Sequence, residues 1–186
     1  GETSHLVEYP IKDESDIQTM KYILKDQNVS FNYDFYEEAK SAIGTRGIVQ
    51  FFFPRSPLAK LIIEYMGLEK TVVQMHKNKD QIESFMESID ESNDKVFEVL
   101  VDCPVEILNF GENIDQNLFS PNLFEKYLFP YYKKRLKELH DVNKKCHLHV
   151  DGSFKDLIPF LKDLNFDGLE ALTPKPQGDV TLEEIK

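Results

Sequence analysis

Histidine, histidine and aspartate stand at alternate positions in Cys146-His147-Leu148-His149-Val150-Asp151-Gly152. As a β-strand running into a glycine turn, this stretch puts His147, His149 and Asp151 on one face and Cys146, Leu148 and Val150 on the other. Imidazole and carboxylate groups gathered at a strand end can hold a metal ion or move a proton. Further on, Gly168-Leu-Glu-Ala-Leu172 sets Glu170 inside an apolar run. A buried carboxylate is costly unless a cation, a metal or a hydrogen-bond donor meets it. His149, Asp151 and Glu170 therefore form a candidate set for zinc or another divalent metal. One imidazole and two carboxylates, each at about 2.0–2.2 Å, would leave positions open for substrate. Each residue also has an ordinary reading. His149 could be a hydrogen-bonded core histidine, Asp151 a turn residue before Gly152, and Glu170 the partner of Arg55 in a salt bridge.

The elements that must position these groups follow from periodicity. His5 to Ile11 reads as a weak strand or extended lead-in. Asp13 to Asp16 is helix-start chemistry, and Ile17, Met20, Ile23 and Leu24 form an apolar stripe. A second helix over 34–43 stops at Gly44. Gly47-Ile-Val-Gln-Phe-Phe-Phe53 is a continuous apolar run, as in a strand buried on both faces. Ser56-Pro57 and Ser120-Pro121 each read as an N-cap followed by a first-turn proline. The helix from Pro57 ends at Gly67. A long helix over 79–101 buries Ile82, Phe85, Met86, Ile89, Val96, Phe97 and Leu100. Strands are expected over 104–110, 146–150 and 168–172, with helices after Ser120, over 154–164 and from Thr181.

From residue 47 onward, strand and helix alternate. That makes an α/β protein with a parallel sheet, either doubly wound or a (β/α)8 barrel. The expected organisation is one domain over 1–186, with a helical lead-in over 1–44 and consecutive β/α units over 45–186. Chemistry in such folds sits beyond the C-terminal strand ends. Those ends carry Arg55; then Glu112, Asn113 and Asp115; then His149 and Asp151; then Glu170. Glu112 and Asn113 are candidate catalytic groups that orient substrate by hydrogen bonds, and Arg55 and Asp115 are candidate substrate-binding groups. His147 lies deeper and reads as packing. Cys146 and Cys103 read as inert core, and His5, His76 and His140 as solvated. The run Phe51-Phe-Phe53 reads as core.

Hydrophobic residues make up 41% and charged residues 30% of the 186, which suits a soluble globular protein. A net charge of −11 argues against a nucleic-acid backbone as partner. No apolar run is long enough to cross a bilayer. Two cysteines are too few for a disulfide framework, so the expected location is cytoplasmic. Gly1 reads as an added residue, and Thr181 to Lys186 as a helix cut short.

Several motifs carry a family resemblance. Ser120-Pro-Asn-Leu-Phe-Glu-Lys-Tyr-Leu-Phe-Pro-Tyr-Tyr132, His149-Val-Asp-Gly152 and Asp167-Gly-Leu-Glu-Ala-Leu-Thr-Pro-Lys-Pro-Gln-Gly-Asp179 resemble the uroporphyrinogen decarboxylase superfamily, nearest to its corrinoid- and cobalamin-linked methyltransferase branch. Pro57-Leu through Tyr-Met-Gly67 fits the same pattern. The resemblance covers residues 45–186. It implies a (β/α)8 TIM barrel present here as a partial barrel. It also implies metal-assisted methyl transfer between a small-molecule substrate and a corrinoid, which a partner protein supplies. In the related cobalamin-independent methionine synthases a His-x-Cys pair, a Glu and a distal Cys bind zinc. By that likeness His149 matches the His, Asp151 replaces the first Cys and Glu170 matches the Glu, with a distal Cys expected beyond Lys186. A harder Asp ligand makes the metal more Lewis acidic and favours an oxygen-bearing substrate over a thiol. The other readings are a metal-free decarboxylase and a non-catalytic ligand-binding relative. An incomplete barrel leaves sheet edges unpaired, which implies either pairing with another chain, such as a homo-oligomer, or poor solubility.

Overall fold

The computed structural model describes residues 6–185. Gly1, His5 and Lys186 lie outside them, so the expectations that rest on those residues do too. Residues 6–11 form no strand. Helix α1 (Glu14–Asp26) begins at a capping box: the Asp13 carboxylate accepts from the N–H of Ser15 and Asp16, and the Asp16 carboxylate accepts from the N–H of Asp13. Helix α2 (Tyr33–Ile43) is capped by the Asn32 side chain and ends at Gly44, with φ 57°. Strand β1 (Gln50–Phe53) is followed by α3 (Pro57–Lys60), which runs into a π-helical turn over Leu61–Tyr65. Helices α4 (Leu68–Lys77) and α5 (Lys79–Asp102) come next, then β2 (Ile107–Ile114). Helix α6 (Pro121–Leu123) passes through a π-helical turn, Phe124–Leu128, into α7 (Phe129–His140). Pro130 has no N–H to donate, so a changed hydrogen-bond register just before it is expected. Strand β3 (Lys145–Val150), helix α8 (Ile158–Lys162), strand β4 (Gly168–Glu170) and helix α9 (Leu182–Ile185) complete the order.

The chain gathers into two compact units. One combines the described residues up to Asn28 with Ser56–Asp94, and the other Val29–Arg55 with the described residues from Lys95 onward. The division does not follow the lead-in boundary near residue 45, because α2 and β1 belong together. The first unit is helical and buries Ile17, Leu24, Leu58, Leu61, Ile62, Ile82, Phe85 and Ile89. The second holds the sheet and every candidate site residue.

Among the described residues four strands form one sheet, all parallel, in the order β1-β2-β3-β4. Phe52, Asn109, His147 and Gly168 lie in one row across the sheet. On the helix side Phe53, Leu108, Phe110, Cys146, Leu148 and Val150 are buried, with Phe97 and Tyr132 packed on Phe53 and Phe110.

Several expected boundaries move. Strand β1 is shorter than its apolar run and is not buried on both faces, since Phe52 is 54% exposed. Strand β2 starts and ends later than 104–110 and contains an irregularity: four residue steps from Phe110 to Ile114 face two from Leu148 to Val150. Strand β4 ends at Glu170, where Ala171 takes φ 58° and breaks the extended path. Neither Ser56 nor Ser120 makes the expected N-cap bond through its hydroxyl, although a proline opens both helices. Helix α4 has no counterpart in the periodicity reading.

At the N-terminal ends of β3 and β4, Asp167 ties the layers together. Its carboxylate accepts from the Cys146 N–H at 2.9 Å and from Lys145 Nζ at 2.9 Å, and it pairs with His140 Nε2 at 3.0 Å. His140 is thus a partnered, half-buried group and not the solvated one its helix context suggested. Burial pushes the Asp167 carboxyl up, but these donors outweigh it and hold its pKa at about 2. A depressed carboxylate stabilises the fold above its unfolded pKa, near 3.8, and loses that contribution as pH falls through about 2. Asp167→Asn is therefore expected to cost about 1–3 kcal/mol at neutral pH. In urea titrations the gap from the parent protein narrows between about pH 4 and pH 2. A gap independent of pH would contradict this assignment.

Candidate functional site

Each of the four strand ends contributes one link to a continuous chain of polar contacts. Arg55, just past β1, donates from Nη2 to Asn113 Oδ1 at 2.9 Å. Asn113, in the irregular part of β2, donates from Nδ2 to Asp151 Oδ2 at 2.6 Å. The same Asp151 oxygen lies 3.5 Å from His149 Nε2. The other imidazole nitrogen, Nδ1, meets Glu170 Oε2 from β4. Register supplies this last contact, since His149 and Glu170 are direct neighbours across β3 and β4.

Three of these links depend on backbone that leaves the regular strand path. Asn113 has φ 54°, Gly152 φ 51° and Ala171 φ 58°. Each sits at or next to a polar link on a successive strand. Left-handed backbone at a non-glycine residue is uncommon and clusters at functional sites, where the surroundings enforce it. The turn at Asn113 aims its amide along the strand ends and lets one residue bridge Arg55 and Asp151.

The site is open to solvent. His149, Asp151 and Glu170 side chains are 19%, 47% and 33% exposed. Glu170 is therefore not the buried carboxylate its apolar run suggested, because β4 lies at the edge of the described sheet. Nor does it pair with Arg55: its partner is His149. Phe52 stands beside the imidazole at 6.2 Å between ring centroids, in an edge arrangement. The run Phe51-Phe-Phe53 has the pattern of core, yet Phe52 forms an apolar wall of the site.

The remaining candidates sit differently. Glu112 is fully buried, so no substrate reaches its carboxylate in this conformation. Asp115 shapes a turn. Its Oδ1 accepts from the N–H and side-chain amide of Asn117 at 2.8 and 2.7 Å, and its backbone carbonyl accepts from Leu118 and Phe119. His147 packs against Gly168, as a packing residue would. Cys146 faces the helices, and burial pushes its thiol up to about 12.

Sequence reading passed over Asn109. It is completely buried in β2, and neither Oδ1 nor Nδ2 has a hydrogen-bond partner. Its signal was a polar residue inside the apolar run Ile107-Leu-Asn-Phe110. An unsatisfied buried amide costs stability. Asn109→Leu is expected to raise unfolding free energy by about 1–2 kcal/mol in urea denaturation. A destabilised variant would show that Asn109 holds a necessary polar contact.

The donors fit a cation in part. With Nδ1–H donated to Glu170, the Nε2 lone pair faces an Asp151 oxygen 3.5 Å away. Two lone pairs so placed repel unless a proton or a cation lies between them. Glu170, on the opposite ring nitrogen, then orients the ligand instead of completing a convergent trio. Among the described residues, the group of three such side chains whose ligand atoms all fall within 4.8 Å of one another lies elsewhere, at His140, Cys146 and Asp167.

Among the described residues no helix is long and apolar enough to cross a membrane. No curated protein matches the chain. A methyltransferase structure from Methanosarcina mazei is similar over 72% of this chain, with a TM-score of 0.58 and 16% sequence identity. At that identity the likeness is one of fold. The match spans 39% of that chain's length, so the four parallel strands correspond to part of a (β/α)8 barrel. The sequence model for uroporphyrinogen decarboxylase matches residues 1–173. Parallel β/α units, polar strand ends and a family match over most of its length together place this chain in the uroporphyrinogen decarboxylase family.

Proposed function

We propose that this chain carries part of the active site of a metal-assisted methyltransferase, moving a methyl group between a small substrate and a corrinoid carried by a partner protein. The observation behind this reading is the facing pair of His149 Nε2 and Asp151 Oδ2, backed on the far side of the ring by Glu170. His149 and Asp151 would hold zinc or another divalent cation, with Glu170 fixing the imidazole tautomer. Such an ion, when bound, supplies Lewis acidity toward an oxygen or sulfur atom of the substrate.

The chain's own groups do the rest. Asn113 holds Asp151 in place through its amide, and Arg55 holds Asn113 through its carbonyl oxygen. Arg55 is the candidate substrate-binding group at the end of β1. Phe52 gives the apolar side of the substrate a surface beside the imidazole. Asp151, about half exposed, faces the entering ligand.

The test is elemental analysis of the purified protein beside His149→Ala, followed by methyl transfer to a reduced free corrinoid. The expected result is about one divalent metal per chain fewer in the variant than in the parent protein, and transfer that stops with chelation. Metal-free protein with full activity would overturn the proposal. Metal-free protein that transfers no methyl group would favour a second reading, a decarboxylase in which a proton fills the gap between His149 and Asp151. The same placement of His149 between two carboxylates supports it, as does the family's name-giving reaction.

A further inference from the structure

A second cluster of metal-binding side chains lies at the other end of the sheet. His140 is the last residue of α7, Cys146 the second residue of β3, and Asp167 the residue before β4. One ligand atom from each, a ring nitrogen, Sγ and a carboxylate oxygen, lies within 4.8 Å of the other two. Cys146 and His149 are three residues apart on β3, about 10 Å along the strand, and project from opposite faces. The two clusters are therefore separate.

We propose that His140, Cys146 and Asp167 form a structural site for one zinc-type divalent cation that fastens the end of α7 to β3 and β4. The donor set is nitrogen, sulfur and oxygen, which is the set zinc takes. Zinc bonds of about 2.0–2.3 Å in a tetrahedron place ligand atoms about 3.3–3.8 Å apart, so a pair of ligand atoms at the outer limit has to close by about 1–1.5 Å. The geometry permits this. His140 Nε2 and Asp167 Oδ2 are already 3.0 Å apart; Oδ2 also accepts from the Cys146 N–H at 2.9 Å, and Lys145 occupies the other oxygen, Oδ1. Cys146 is a free thiol, wholly buried. His140 and Asp167 are 31% and 23% exposed, which gives an ion a way in and a water the fourth position. On binding, the Cys146 S–H bond breaks, its proton leaves to solvent, and the sulfur lone pair forms the bond to the metal. No electron is transferred. Sites at this end of a β/α sheet serve stability rather than chemistry.

Cobalt(II) is the probe, because a thiolate ligand gives it a charge-transfer absorption that oxygen and nitrogen ligands do not. The whole protein, stripped of metal by a chelator, is titrated with cobalt(II). The expected result is a thiolate band with the intensity of one bound cobalt per chain, a thermal midpoint raised by a few degrees, and the same band in His149→Ala. Cys146→Ser loses the band, and His140→Gln weakens cobalt binding at least tenfold. Absence of the band in the parent protein overturns the proposal, as does its persistence in Cys146→Ser, which would point to Cys103. If Cys146→Ser fails to fold, His140→Gln decides, and unchanged cobalt affinity overturns the site. Loss of metal from the His149 site alone would leave the thiolate band intact, so the two assignments fail independently.

Discussion

His149→Ala is expected to lower the rate of the reaction at this site by at least about a hundredfold while the fold stands. The ring is the centre of the polar chain: one nitrogen meets Glu170 and the other faces Asp151. Without it, two carboxylates lose their common partner. Losing a group that binds metal or transfers a proton typically costs about 10²–10⁴ in rate. The side chain is partly exposed and touches Phe52 at its edge, so its removal opens little core. Far-UV circular dichroism and a thermal melt close to the parent's would verify the fold. Glu170→Gln is the graded comparison. It keeps the shape but removes the charge that orients the ring, and a 10–100-fold loss is expected. Parent-like turnover in His149→Ala would remove this site from the chemistry.

Gly152→Ala is expected to destabilise the protein by about 1–3 kcal/mol. Gly152 has φ 51°, a region that side chains other than glycine rarely adopt. A Cβ there would lie 2.2 Å from Asp115 Oδ2. Asp115 cannot swing away freely, because its other oxygen accepts from Asn117 and the adjoining Gln116 N–H donates to the Ser153 carbonyl. The two loops are locked to each other just past Asp151. Chemical denaturation of Gly152→Ala, Asp115→Ala and the double variant separates the two causes. The clash predicts that the double variant is less destabilised than the sum of the single ones. Strict additivity would leave backbone strain as the whole effect.

Much of this architecture is legible in one-dimensional pattern. The capping box at Asp13, the left-handed stop at Gly44 and the buried stripe from Ile82 to Leu100 each depend on residues within a few positions of one another. The alternation of strands and helices after residue 47 was enough to require a parallel sheet. It was also enough to bring Arg55, Asn113, His149, Asp151 and Glu170 to one edge.

Pairing across strands was not legible, because it depends on register and on where the backbone departs from regularity. The irregularity in β2 turns Asn113 toward Asp151 and leaves Glu112 fully buried. Strand end Ala171 leaves Glu170 partly exposed beside His149 instead of enclosed among apolar neighbours. The orphaned amide of Asn109, the apolar wall at Phe52, and the meeting of His140 with Cys146 and Asp167 likewise join residues far apart in the chain. Residue types and local spacing determined the elements and the set of groups available for chemistry. Only the packed sheet decided which of those groups touch, since a contact across strands is a long-range choice that no local period encodes.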